Sequence, residues 1–178
     1  MKSVVTYSGI NRYLETYKLL EGLGYGLFCF FLPFVLSHTQ HQIIVGTLVN
    51  AALIASAIRL DLRYTIPTIL LPSLGVLSAG VLFGNLTPYL IYLVPFIWAG
   101  NAILVFSFKF FKDKGYIYRS VFSAIFKALF LGVSTFALVQ FSVVPSAFLI
   151  PMSFIQLATA LFGSALIYAI FKGLRLKF

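Results

Sequence analysis

The chain has 178 residues, of which 61% are hydrophobic and only 10% are charged, and its formal net charge at pH 7 is +9. A soluble domain of this length does not need so apolar a chain to fill one core, whereas in a bilayer apolar side chains face lipid as well as each other. The composition therefore excludes an ordinary soluble domain. The positive charge is a weak indication of nucleic-acid binding, because twelve of the thirteen Lys and Arg residues lie at predicted inner ends of membrane helices, where they orient the protein and attract anionic lipid head groups.

Six apolar stretches predict six membrane-spanning helices. In chain order the predicted spans cover about residues 19–36, 42–58, 64–83, 88–108, 120–140 and 147–171. Each is close to the ~20 residues that a helix needs to cross ~30 Å of hydrocarbon. The spans use most of the length, so residues 1–178 are predicted to form one all-α membrane domain.

The segments between the predicted helices alternate in charge. Lys or Arg residues occur in the N-terminal arm, in the second and fourth joints and in the C-terminal tail, whereas joints 37–41, 84–88 and 141–146 contain none. Basic residues near membrane ends stay on the cytoplasmic side, and loops without them are free to cross. The pattern predicts a multi-pass protein of the cell membrane with both termini in the cytoplasm.

Small residues one turn apart indicate where membrane helices approach each other closely. The first predicted helix has Gly22 and Gly26 at this spacing, and the second has Ala51 and Ala55. Such residues serve either packing inside the bundle or the docking of a second membrane protein, and the sequence leaves both roles open.

Four uncharged polar or amphipathic side chains lie deep in predicted spans. At ~1.5 Å per residue, Asn50 lies ~12 Å, Gln156 ~14 Å and Asn101 ~20 Å from the outer helix ends. These three amides either line one cavity or tie helices together by hydrogen bonds. Trp98, ~15 Å deep, is too far in for an interfacial aromatic residue, so it is predicted to form a pocket wall or to fill space.

Lys127 is the only charged residue well inside a predicted span. Its side chain either snorkels toward the inner head groups or faces inward, where its charge would serve an anionic solute. The span cores contain no Asp or Glu, so a proton relay or sodium site built from carboxylates is not expected. The single cysteine, Cys29, excludes an intrachain disulfide and a cysteine-rich metal site. No metal or cofactor is predicted.

Catalytic patterns are absent from the sequence. It contains no HExxH, GxSxG or P-loop motif, so the chain is not expected to be an enzyme.

Three segments resemble the S component, the substrate-binding membrane subunit of energy-coupling-factor transporters. The segments are residues 71–84 (LPSLGVLSAGVLFG), 94–102 (VPFIWAGNA) and 156–163 (QLATALFG). The resemblance implies a subunit that captures a small vitamin-like solute from outside and works with a transmembrane scaffold subunit and ATPase subunits. That family carries an A-x-x-x-A docking motif in its first helix, where this chain has Gly22 and Gly26 instead.

Two functions follow as expectations. In the first, a solute-binding subunit, Trp98 stacks on the solute, Asn101, Gln156 and Asn50 supply hydrogen bonds, and Lys127 supplies charge. In the second, the chain is a structural or assembly protein that packs against a partner complex without binding a solute. An outward cavity lined by the polar residues favours the first, and a closed, dry interior favours the second.

Overall fold

The computed structural model describes residues 2–36, 42–80 and 82–176, with side chains from residue 12 onward. Within these residues the chain is helical and contains no strand. The α-helices are α1 (Lys2–Val35), α2 (Gln42–Arg59), α3 (Ile66–Ala79), α4 (Leu90–Phe110), α5 (Tyr116–Gln140), α6 (Leu149–Met152) and α7 (Phe154–Gly173). Short 3-10 segments, Leu62–Thr65, Gly84–Tyr89 and Ser146–Phe148, precede α3, α4 and α6.

Six helical segments are long and apolar enough to cross a membrane. They are Arg12–Val35, Gln42–Arg59, Leu62–Ala79, Gly84–Phe110, Tyr116–Gln140 and Ser146–Gly173. The chain is therefore an all-α, multi-pass membrane protein, and the prediction of six spans is confirmed.

The helix limits differ from the predicted ones at several places. The N-terminal arm from Lys2 onward continues into α1 as one helix. The third helix ends early because Gly80 adopts a left-handed conformation, φ +71°, which terminates α3. The last span breaks at Ser153, between α6 and α7, two residues after Pro151. The first joint, residues 37–41, lies outside the described part of the chain.

Helix α1 packs mainly against α3, and glycines make this contact possible. A Cβ atom on Gly22 would lie 2.1 Å from the carbonyl oxygen of Tyr64, and one on Gly75 would lie 2.2 Å from that of Phe30. A Cβ atom on Gly26 would lie 2.8 Å from the carbonyl carbon of Pro67, near the start of α3. Side chains at these positions would force the two backbones apart, so the glycines set the distance between α1 and α3.

Helix α2 packs mainly against α7, and α4 against α5. Gly163 of α7 lies against α2, where an added Cβ atom would lie 2.7 Å from the backbone nitrogen of Ala51. Ala51 and Ala55 are 5% and 4% exposed. Gly22, Gly26, Ala51 and Ala55 are thus all buried between helices of this chain, and a docking surface has to use other residues.

Three ion pairs join α1 to the end of α2 and to the connection between α2 and α3. They are Lys18–Asp61 at 2.8 Å, Arg63–Glu15 at 2.8 Å and Arg59–Glu21. The hydrogen bond that Asp61 accepts from Lys18 lowers the pKa of this carboxyl group below its usual value. Because Lys18 and Asp61 are largely exposed, this pair contributes little to stability.

Candidate functional site

Lys127 lies close to the middle of the longest uninterrupted span and is 2% exposed. Because α5 begins at Tyr116, Lys127 is ~16 Å from one end of its helix and ~20 Å from the other, at ~1.5 Å per residue. Its Nζ atom donates to Asn50 Oδ1 at 2.6 Å and to Asn101 Oδ1 at 2.9 Å. The ammonium group is therefore held inside the bundle by two amides and does not snorkel to a head-group layer.

Each amide that holds Lys127 is itself held by another helix. Asn50 Nδ2 donates to Thr159 Oγ1 of α7 at 3.0 Å and to Gly46 O at 2.9 Å. Asn101 Nδ2 donates to the carbonyl oxygen of Ile69 in α3 at 3.0 Å. The amide oxygens are turned toward Lys127 because the amide nitrogens are already used.

Asn50, Asn101, Lys127 and Thr159 together form what we term the lysine cluster, which joins α2, α4, α5 and α7. Within the described residues no carboxylate reaches it. The four acidic residues of the chain are Glu15, Glu21, Asp61 and Asp113, and the first three pair with Arg63, Arg59 and Lys18. A buried charge without a counter-charge is unfavourable, so the hydrogen bonds of the cluster replace only part of the lost hydration.

The lysine cluster faces a cavity of about 70 Å³. This volume is several times the ~10–15 Å³ that one water molecule needs on the same kind of measure. Polar groups come from the cluster together with Gln42, Ser73 and Gln156, and the remaining lining is mostly apolar. The apolar lining includes Val45, Val49, Val76, Leu90, Ile97, Met152 and Ile155.

The cavity occupies one half of the bundle. Its lining comes from the first half of α2, the second half of α3, the first half of α4 and the start of α7. These helix ends adjoin the joints that contain no Lys or Arg. Lys127 lies at the deep end of the cavity, near the centre of the span.

Gln156 is, with Gln42, one of two cavity-lining amides whose side chains form no hydrogen bond with the described residues. It is partly exposed. Asn50 and Asn101, by contrast, are 1% and 2% exposed and are fully committed to the cluster. Gln156 is therefore free to bond to a molecule in the cavity, whereas the two asparagines act mainly by positioning Lys127.

Trp98 lies next to the cavity but is not part of its lining. Its indole Nε1 donates to the carbonyl oxygen of Leu70 at 3.0 Å and to Ser73 Oγ at 2.8 Å. The indole thus ties α4 to α3, and Ser73, which does line the cavity, is the residue through which Trp98 influences it.

Thr159 and Ser73 belong to the site, although the sequence does not predict them as site residues. Thr159 lies three residues after Gln156, on the same face of α7, and this spacing is the feature that points to it. Ser73 has no comparable pattern in the sequence, because its role depends on a tryptophan from another helix.

Comparison of the chain with protein families, curated proteins and solved structures gave no match. Among the described residues, no group of three or more His, Cys, Asp or Glu side chains is placed to hold a metal ion. The chemistry that this site offers is therefore that of one ammonium group, several amides and hydroxyls, and an apolar wall.

Proposed function

We propose that this chain is the solute-binding membrane subunit of an uptake transporter and captures a small, vitamin-like solute from outside the cell. The observation that carries the proposal is the cavity that ends on Lys127 in the middle of the membrane span. An ionisable residue at this depth is energetically unfavourable, and such residues usually bind a solute, an ion or a partner.

The distribution of basic residues supports an outward orientation of the cavity. The helix ends that surround the cavity adjoin joints without Lys or Arg, and the opposite ends carry almost all the basic residues. Under the positive-inside rule the cavity half faces the exterior. A solute would then enter from outside and meet Lys127 about halfway across the membrane.

Each side chain has a proposed role in binding. Lys127 directs its charge toward a negative or strongly accepting group of the solute, and Asn50 and Asn101 hold the ammonium group in place. Gln156, one helical turn before Thr159 of the lysine cluster, donates or accepts a hydrogen bond. The apolar lining contacts the rest of the solute. Because the cavity of about 70 Å³ is smaller than the ~300–1,000 Å³ that is usual for small-molecule sites, binding requires the surrounding helices to move apart. Trp98 shapes the wall through Ser73 and does not stack on the solute.

A binding subunit of this kind needs partners. The chain has no P-loop, so we place ATP hydrolysis on separate ATPase subunits, coupled through a transmembrane scaffold subunit. This assignment follows from the resemblance to S components. On this view the chain itself is not an enzyme.

The alternative is a structural or assembly protein without a solute. The buried glycine and alanine contacts fit that role as well, since they explain packing only. They do not explain why a cavity ends on a lysine that lacks a carboxylate partner, and this feature favours the first function.

Retention of a bound molecule tests the proposal. The protein is purified from its native membrane in a mild detergent, and released small molecules are identified by mass spectrometry. We expect one compound at close to one per chain in the wild type and its loss in Gln156→Leu. Gln140→Leu is the matched control, because Gln140 is an exposed amide that does not line the cavity.

Two outcomes would count against a solute-binding role. One is wild-type protein from the native membrane with no stoichiometric compound in the extract. The other is a compound that Gln156→Leu retains as well as Gln140→Leu does, which would move the binding site elsewhere.

A further inference from the structure

A second, larger cavity lies at the opposite end of the bundle from the lysine cluster. Its volume is about 560 Å³, and it is formed by the ends of α2 and α4, the 3-10 segment before α3, and the start of α5. Three of its lining residues are basic, namely Lys109, Lys112 and Arg119, and none is acidic. The other lining residues are apolar: Ala57, Ile58, Leu62, Phe106 and Phe110.

Arg119 is the best-fixed cation of this basic cavity. Its side chain is 7% exposed, its Nε atom donates to the carbonyl oxygen of Phe108 at 3.1 Å, and its guanidinium carbon lies 4.2 Å from the centre of the Phe108 ring. Its terminal nitrogens bond to no described residue. Arg119 is thus held by its Nε atom while its terminal N–H groups remain available to an acceptor.

The three cations of the basic cavity have no carboxylate of their own. None of them forms an ion pair with a described residue. Asp61, which interacts electrostatically with Lys109, is already bonded to Lys18. The cavity therefore contains three basic side chains that form no ion pair with a described residue, and Asp113, which follows Lys112 in the turn between α4 and α5, does not line it.

The apolar residues that line the basic cavity indicate that an anion bound there belongs to a lipid. Phe106 and Phe110 are 56% and 68% exposed, and Leu62 is 45% exposed. These side chains lie at the end of membrane-spanning helices, where lipid chains pass alongside the protein. A phosphate group in the cavity and an acyl chain along the phenylalanines would match both kinds of lining at once.

We propose that the basic cavity binds the phosphate of an anionic phospholipid of the inner leaflet, with Arg119 and Lys109 as the main contacts. Basic clefts between membrane helices on the cytoplasmic side commonly hold anionic head groups, and planar guanidinium groups suit phosphate oxygens. The site requires no solute in the other cavity, so it stands independently of the proposed transport role.

Native mass spectrometry of delipidated protein in detergent tests the site. Added phosphatidylglycerol should bind at one per chain and at least about tenfold more tightly than phosphatidylcholine of the same chain length. Inorganic phosphate is added in a separate arm. If phosphate alone displaces phosphatidylglycerol at equal concentration, the site belongs to free phosphate and the lipid proposal is overturned.

Charge-matched variants distinguish binding in the basic cavity from general electrostatic attraction between the positively charged protein and an anionic lipid. The double variant Lys109→Gln and Arg119→Gln should weaken phosphatidylglycerol binding by about 30-fold. The control, Lys114→Gln with Lys172→Gln, removes the same charge from residues outside the cavity and should bind like the wild type. If Arg119→Gln impairs folding, the double variant Lys109→Gln and Lys112→Gln takes its place. It leaves the hydrogen bond from Arg119 to the Phe108 carbonyl oxygen intact. Equal losses in the cavity and control variants would overturn the proposal, as would equal binding of the two lipids by the wild type.

Discussion

At the scale of single residues, the polar side chains around Lys127 have two different roles: some hold helices and the lysine in place, and one is free to bind a molecule. Asn50 and Asn101 use their nitrogens to fasten neighbouring helices and their oxygens to hold Lys127. The side chain of Gln156 forms no hydrogen bond with the described residues. Stability and binding are therefore expected to depend on different amides.

Replacing Asn101 and Gln156 in turn tests this division. Asn101→Leu removes one of the two acceptors of Lys127 and the donor to Ile69, so we expect a loss of about 1–2 kcal/mol in unfolding free energy. Gln156→Leu should change stability by less than about 0.5 kcal/mol. Reversible unfolding in mixed detergent micelles measures both values. A larger loss for Gln156→Leu than for Asn101→Leu would contradict the assigned roles.

The sequence identified most of the members of this site but not their arrangement. Asn50, Asn101, Lys127 and Gln156 stand out because polar groups are rare at such depth. Which of them bond to each other depends on how α2, α4, α5 and α7 pack, and no local pattern encodes that. The predicted fifth span begins at about residue 120 whereas α5 begins at Tyr116, so Lys127 lies deeper in its helix than the predicted span implies.

At the scale of secondary-structure elements, the contact between α1 and α3 is set by backbone approach. Gly22 and Gly24 are only two residues apart on α1, yet their surroundings differ completely. A Cβ atom on Gly22 would lie 2.1 Å from the Tyr64 carbonyl oxygen, whereas one on Gly24 would meet nothing within 4 Å. Replacing glycine by alanine raises the helix propensity equally at both positions. The difference in stability between the two variants therefore measures the effect of the Cβ atom on packing.

Gly22→Ala should therefore destabilise the protein and Gly24→Ala should not. We expect a loss of about 1–3 kcal/mol for Gly22→Ala from forced separation of α1 and α3. Gly24→Ala should be neutral or stabilising by up to about 1 kcal/mol, from helix propensity alone. Thermal aggregation of the detergent-solubilised variants gives the order. Equal effects at the two positions would mean that α1 does not pack on α3 through this face.

The helix boundaries show where hydropathy stops being informative. The spans are predictable because a bilayer demands long apolar helices. The predicted span begins after Arg119 because a charged residue indicates a joint, yet α5 begins at Tyr116, and Arg119 lies over the Phe108 ring and donates to the Phe108 carbonyl oxygen. The break at Ser153 also involves a contact with a neighbouring helix, because Gly132 of α5 packs against this residue, and hydropathy along the sequence does not describe such a contact.

At the scale of the whole molecule, the two cavities lie at opposite ends of one bundle and differ in charge. One ends on a single lysine held by amides, and the other carries three basic side chains among exposed phenylalanines. This polarity agrees with the alternation of basic residues along the sequence. Both the uptake role and the lipid site depend on which end faces the cytoplasm.

Cysteine labelling on intact cells decides the orientation. The chain has one cysteine, Cys29, which is fully buried, so Cys29→Ala gives a background without reactive thiols. Gly115→Cys places a thiol in the turn between α4 and α5, where an added Cβ atom meets nothing within 4 Å. Ser142→Cys places one after α5, with little change in side-chain size and at an exposed position.

A membrane-impermeant maleimide should label the Ser142→Cys variant on intact cells and should label the Gly115→Cys variant only after the membrane is opened. This result follows if the basic ends stay in the cytoplasm, because the α4–α5 turn carries Lys112 and Lys114. The reverse labelling pattern would turn the lysine-cluster cavity toward the cytoplasm, and uptake from outside would then be untenable. It would also move the basic cavity to the outer leaflet, so one measurement tests the common premise of both proposals.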